Sequence, residues 1–386
     1  MSPIVVRPAA YDCLGPDAPE PDCAFYVISD RAAAEAVIEP NGAYHHCGRR
    51  VWDERAGLGE VLAGLPEPAH VLVIAPSRVI ESPTEEEIGR RKLLCVPCGS
   101  TPMPGADIAH FLGVLERTSA AVLERRASEF FDRVETAERL VIRDEEYGVE
   151  AQFDHLADGY EWNQQAGYVG WGEQQVVPGG ELSVIPGSVM SLDTSQRLRI
   201  TGTIALRGTP IVHAGSARYS PAEQEALYMD LLAAERHAVL IDLVEGEVDG
   251  VHDTHGDALP AARALDGLFD ADPRYRVVKE LGFGLNPALE LLPGNRAMNE
   301  MYGSRDGVVH LGIGLTPFTT FAPIIICPGI SLLAQDGRYI LGLRARVDTR
   351  PRLIRRKVPA CVCLQGSVVP RRPLADVSWP VPQYDL

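Results

Sequence analysis

Pro178-Gly179-Gly180-Glu181-Leu182-Ser183-Val184-Ile185-Pro186 reads as a tight turn opening into a strand, with a carboxylate at the exit. Paired glycines let a backbone turn sharply and approach a ligand closely. Two further stretches are built alike: Glu280-Leu281-Gly282-Phe283-Gly284-Leu285-Asn286-Pro287 and Gly307-Val308-Val309-His310-Leu311-Gly312-Ile313-Gly314. Two carboxylates and one imidazole, on Glu181, Glu280 and His310, begin a divalent metal site. Taken singly, plainer readings weigh more: a hairpin-surface Glu181, a charged strand end at Glu280, a hydrogen-bonded core histidine at His310. The Glu280 loop lacks the third glycine and the strand-to-helix setting of a phosphate cradle. No histidine follows His310, so a two-ion centre has no second imidazole downstream.

Outward from these loops, the chain divides at about Arg143. Residues 1–143 alternate strand and helix, which predicts an α/β layer with parallel pairing. Ile4-Val5-Val6, Ala24-Phe25-Tyr26-Val27-Ile28, Val71-Leu72-Val73-Ile74-Ala75 and Leu93 to Val96 read as strands. Ser82-Pro83-Thr84-Glu85 predicts a helix start with Ser82 as cap. Ile108 through Leu140 reads as one long helical stretch. Residues 144–349 read as a mixed α+β domain. Short β segments fill Tyr147 to Ile211, helices follow from Ser220 and from Leu259, and a hairpin turn falls at Asp336-Gly337. Residues 350–386 form a Pro- and Arg-rich C-terminal segment.

At 386 residues, with 46% hydrophobic and 23% charged side chains, the chain reads as globular protein with two or three cores. A net charge of −17 speaks against nucleic acid and against anionic membrane surfaces. Met1 to Glu20 carries no apolar segment behind a basic start, and no run is long enough to span a bilayer. A cytoplasmic protein with free thiols is expected. Abundant Ala, Gly, Arg and Pro with few Lys suggests a bacterial, high-GC coding bias.

Other clusters read more plainly. Cys95-Val96-Pro97-Cys98 has redox or metal spacing but no second pair, so buried thiols are the default, also for Cys13, Cys23 and Cys47 beside His45 and His46. Cys361 and Cys363 point to opposite faces of a strand. His252-Asp253-Thr254-His255-Gly256-Asp257 reads as a solvated loop. Tyr160, Trp162, Tyr168 and Trp171 either line a ligand cleft or fill a core. Asn286 and Glu300 stand where they can support the three donors.

In this order and separation, the three loops resemble the thermophilic metallo-aminopeptidases of the aminopeptidase T and aminopeptidase S type. The resemblance covers Tyr147 to about Gly342 and implies an aminopeptidase T-like fold. In that family the matching glutamates and histidine bind two divalent ions, which implies the same role for Glu181, Glu280 and His310. Dihydroxypyridine ring-opening dioxygenases look like the same scaffold with one iron. This chain departs from the pattern in two places. The family's His-x-Asp pair falls at about Pro323 and Ile325, and its tyrosine at Pro317. The resemblance therefore implies a degenerate member that binds a peptide or modified amino acid, holds no metal or one ion (Zn, Mn, Fe or Co), and has lost aminopeptidase turnover. It would serve a peptide-modification pathway and pair as a homodimer or with a related subunit. The alternative is a mononuclear metal-dependent hydrolase acting on a peptide or modified amino acid through the same three residues.

Overall fold

A computed structural model describes residues 4–15, 19–30, 36–39, 42–53, 55–75, 82–96, 105–187, 197–214, 220–254, 259–290, 303–314 and 318–341, and the backbone of 355–356. The first part runs β1 (Val5–Val6), β2 (Ala24–Ser29), β3 (Val37–Ile38), β4 (His46–Val51), α1 (Leu58–Ala63), β5 (Ala69–Ile74), α2 (Glu85–Ile88), β6 (Arg91–Cys95), α3 (Gly105–Arg117) and α4 (Ala120–Thr136). The second runs β7 (Leu140–Asp144), β8 (Val149–Phe153), β9 (Tyr160–Gln165), β10 (Gln174–Val176), β11 (Glu181–Pro186), β12 (Ile200–Leu206), β13 (Thr209–Ala214), α5 (Pro221–Leu231), β14 (Val239–Val244), β15 (Glu247–Asp253), α6 (Leu259–Ala271), β16 (Val278–Gly284), β17 (Val309–Ile313), β18 (Phe321–Cys327), β19 (Ile330–Ala334) and β20 (Arg355–Arg356).

β5 is buried along its whole length and apolar except for His70, as suits a strand covered on both faces. It lies inside a parallel sheet of order β10-β6-β5-β2-β4. Ala24, Ile28, Val71, Val73 and Leu93 pack on α1 and α2, while Phe25, Val27, Leu72, Ile74 and Leu94 face α3. The edge strand β10 comes from beyond residue 143, and β7, which spans that position, pairs with β8 and β19.

Two helix expectations are corrected. Thr84, not Ser82, caps α2: its hydroxyl accepts from the Glu87 N–H, and the Glu87 carboxylate accepts from the Thr84 N–H. The Ser82 hydroxyl accepts instead from Gln174 Nε2 at 3.3 Å. The stretch from Ile108 is two helices, broken at Thr118-Ser119, and Leu140 already belongs to β7. Thr118 Oγ1 bonds back to the Val114 carbonyl, and the first N–H of α4 is taken by Asp12 Oδ2 at 2.8 Å. A long-range cap thus starts a new helix where periodicity alone continues the old one.

β1 and β3 pair in parallel, and the other strands form two largely antiparallel sheets, β13-β18-β17-β16-β11-β9-β20 and β15-β14-β12-β8-β7-β19. One core joins both sheets to α4, α5 and α6, with Leu182, Leu281, Phe283, Val309, Leu311 and Ile325 on one side and Phe153, Ile204 and Ile241 on the other. Fully burying such a side chain stabilises by about 1.5–3 kcal/mol. The opposite face of the seven-stranded sheet looks the other way: Ile211, Ile324 and Ile326 join the core of the parallel sheet and α3. That second face carries the candidate site. In 350–386 only the β20 backbone is described, parallel to β9 at Trp162 and Asn163. Among the described residues no helix is long and apolar enough to cross a membrane.

Candidate metal centre

Period-two alternation places Glu181, Glu280 and His310 on one face of adjacent strands. His310 on β17 sits opposite Gly282 on β16, and Glu181 on β11 sits opposite Gly284. One donor atom from each of the three lies within 4.8 Å of the others. His310 Nε2 is 3.7 Å from Glu181 Oε1. Two donors on one ion stand at most about 4.2 Å apart, so the side chains draw in slightly on binding.

Each loop is shaped for this meeting. Gly179 and Gly180 have φ of 79° and 106°, and a Cβ on Gly180 would stand 2.5 Å from the Asn286 Cβ. Asn286 is fully buried and ties three segments together. Its Nδ2 donates to the Gly179 carbonyl at 2.8 Å and to Thr118 Oγ1 at 3.1 Å, and its Oδ1 accepts from the Ala288 N–H at 2.9 Å. It thereby holds the turn from which Glu181 emerges. Gly303 covers the other side of the imidazole, where a Cβ would stand 2.9 Å from His310 Nδ1.

Two of the three donors are buried. Glu280 is 1% and His310 3% exposed, while the Glu181 side chain is 16% exposed and forms the open side. Both Glu280 oxygens and the nearby Ser183 Oγ find no hydrogen-bond partner among the described residues. Buried polar atoms are almost always paired, so a buried carboxylate with both oxygens unpaired, beside two further donors, fits an ion. Burial pushes the His310 pKa below its ordinary value; the Glu280 charge and the Gly303 backbone oppose this, and His213 and Lys279 add to it. The ring is therefore held in the neutral form that ligates metal.

Two residues of this neighbourhood escape the sequence reading. β16 carries a bulge between Val278 and Glu280, so Lys279 and Glu280 together oppose Gly312. Lys279 is 1% exposed, and its Nζ has no hydrogen-bond partner among the described residues. Its signal was two opposite charges side by side in the apolar run Val277 to Leu281, which a regular half-buried strand does not tolerate. His213, far upstream of His310, comes alongside through β13, which pairs with β18.

Other expectations fall elsewhere. The positions aligned with the His-x-Asp pair are turned away: Ile325 lies in the other core, and Pro323 pairs with Val212, whose side chain is also there. The strand's site-facing residues are Ala322, Ile324 and Ile326, none a metal donor. Trp162 does not line a cleft; it is 2% exposed and packs against Phe130, Phe131 and Phe283, because its strand faces the core there. Tyr160 packs on the same core, Tyr168 on that of the parallel sheet. Trp171 is 37% exposed beside His70, Lys92 and Arg90 on the parallel sheet, away from the three donors. Glu300 and Pro317 lie outside the described residues, as do Cys98, Cys361, Cys363, His255 and Asp257. Cys95 is a buried thiol, its pKa pushed up by burial, and His252 pairs with Asp242 at 2.7 Å. Among the described residues, Glu181, Glu280 and His310 are the one group of such side chains close enough to share an ion.

No family model and no curated protein matches the sequence. Solved structures do. The chain is similar to a 2,5-dihydroxypyridine dioxygenase from Pseudomonas putida, with a TM-score of 0.50 at 14% identity over 81% of this chain and 89% of that one. At that identity the likeness speaks for the fold alone. Aminopeptidase T (AmpT) from Thermus thermophilus matches at a TM-score of 0.37 and 12% identity, over 83% of this chain and 95% of that one, which carries no weight by itself.

Proposed function

We propose that Glu181, Glu280 and His310 bind one divalent metal ion, and that the protein is a mononuclear metal-dependent enzyme acting on a peptide or modified amino acid. The observation that carries this reading is the pair of buried Glu280 oxygens, which find no hydrogen-bond partner among the described residues, in a group of three donors within 4.8 Å of one another. A carboxylate left so in the interior is costly, and an ion on its oxygens removes the cost. A set of two carboxylates and one imidazole suits Zn, Mn, Fe or Co. When bound, such an ion supplies Lewis-acid polarisation of a carbonyl and acidification of water. The chain's own part is to hold the three donors, to keep His310 neutral, and to leave Glu181 as the open side.

Ile324 and Ile326 favour a second reading. They put aliphatic groups where β18 faces the site, so that strand adds no fourth donor to hold an ion tightly. On that reading the protein binds a peptide without ordinary aminopeptidase turnover.

Elemental analysis of the purified protein, after incubation with Zn, Mn, Fe and Co in turn, separates the two. One tight equivalent, lost in Glu280→Ala, supports the enzyme. No metal, together with calorimetric peptide binding that survives His310→Ala, supports the binder and ends the first reading.

A further inference from the structure

The β16 bulge brings a second charged group to the donors. Lys279 runs over Gly312: a Cβ on that glycine would stand 3.1 Å from Lys279 Cε and 3.3 Å from Glu280 Cβ. The lysine stem and the Glu280 stem thus share one face, the face of His310. A side chain larger than hydrogen at position 312 would close this path. The lysine is 1% exposed, so water does not solvate its ammonium, and no described residue accepts a hydrogen bond from Nζ. An ammonium so placed is costly unless something pairs with it.

The ion alone does not provide the partner. Glu181 and Glu280 carry two negative charges, which a divalent cation cancels, and a ligating imidazole is neutral. Among the described residues, no acceptor is then left for the Lys279 ammonium. A single negative charge, brought by the bound molecule, balances the centre.

Resting on the one-ion reading, we infer that the molecule bound here carries a carboxylate, and that Lys279 Nζ grips this group beside the ion. An ammonium donates charge-assisted hydrogen bonds to carboxylate oxygens, and a buried site strengthens them. This narrows the substrate class to small monoanionic acids, or to peptides presenting a carboxylate at the metal.

Full-length protein loaded with Co(II), whose visible absorption follows the ligand set, tests this directly. The probes are acetate and acetamide, alike in size and different in charge. Acetate is expected to shift the spectrum of the wild type at concentrations where acetamide does not. Lys279→Met and Lys279→Gln are expected to keep one equivalent of Co(II), which also reports that they fold, and to bind acetate at least roughly tenfold more weakly. Equal acetate affinity in wild type and variants, or equal affinity of the wild type for acetamide, overturns the inference and leaves the metal reading intact. Loss of Co(II) from both variants also overturns it, by making Lys279 part of the centre's scaffold. A wild type that takes up no Co(II) ends the metal reading itself, and this inference with it.

Discussion

The His310 imidazole occupies the space that a side chain on Gly282 would fill. The two residues face each other across β16 and β17, and a Cβ on Gly282 would overlap Nε2 and Cε1 of the ring. Gly303 closes the opposite side, so the ring has little room to retreat. Gly282→Ala should therefore displace a metal donor without removing one. We expect metal affinity to fall roughly 10–100-fold, as when a group that orients a ligand is lost. Metal titration calorimetry, with circular dichroism to show a retained fold, checks this; unchanged affinity contradicts the placement of His310.

Metal removal should be legible as stability. At a free metal concentration about 100 times Kd, binding stabilises the folded state by about 2.7 kcal/mol. Chelation should lower Tm by a corresponding amount. In Glu280→Gln the metal-dependent rise should vanish. The metal-free variant should be no less stable than metal-free wild type, because the change takes an unpartnered charge out of the interior. A chelator-insensitive Tm in the wild type would count against the ion.

Asn286→Ala tests the tie behind Glu181. It removes the bonds to Thr118, Gly179 and Ala288 and leaves their buried groups unmet. A loss of about 2–4 kcal/mol in urea unfolding is expected, with weaker metal binding as the Glu181 turn loosens.

Trp162 and Trp171 should behave differently. Trp162→Ala opens a cavity among Phe130, Phe131 and Phe283 and should cost about 3–5 kcal/mol. Trp171→Ala loses stacking on His70 and the cations Lys92 and Arg90 at a half-exposed site, and should cost about 1 kcal/mol. Equal losses in denaturant unfolding would contradict these placements.

His70 gives the fold an acid limb. Burial, then the nearby Lys92 charge, pushes its pKa down to about 4, and its Nδ1 shares a 2.9 Å hydrogen bond with Tyr44 Oη. The unfolded chain takes up this proton near pH 6.5 and the folded one resists it. Stability is thus fully present above about pH 6.5 and falls as pH drops toward 4, by roughly 3 kcal/mol from this residue. His70→Gln should flatten that limb in unfolding experiments run between pH 7 and 4; an unchanged slope would show that His70 is not its source.

Much of this was readable in the chain. The apolar run at Val71 to Ile74 demanded a strand covered on both faces, and β5 is one. The loops at Glu181, Glu280 and His310 announced donors beside glycines, and those donors converge. The break at Thr118-Ser119 was hidden because Asp12, more than a hundred residues away, supplies the cap. Lys279 was hidden because a bulge is a property of a paired strand, invisible until β17 lies alongside. His213 was hidden because its strand arrives beside β18 from far upstream.

The sequence by itself determined many of the strands, where glycine must stand, and which three side chains could share an ion. Hydrophobic periodicity and backbone sterics act over a few residues, so they are written locally. Only the tertiary structure decided that Pro323 and Ile325 turn from the site, that Trp162 is core, and that Lys279 shares a face with Glu280. Those outcomes depend on strand register and on one inserted residue, which flip a side chain from one face of a sheet to the other.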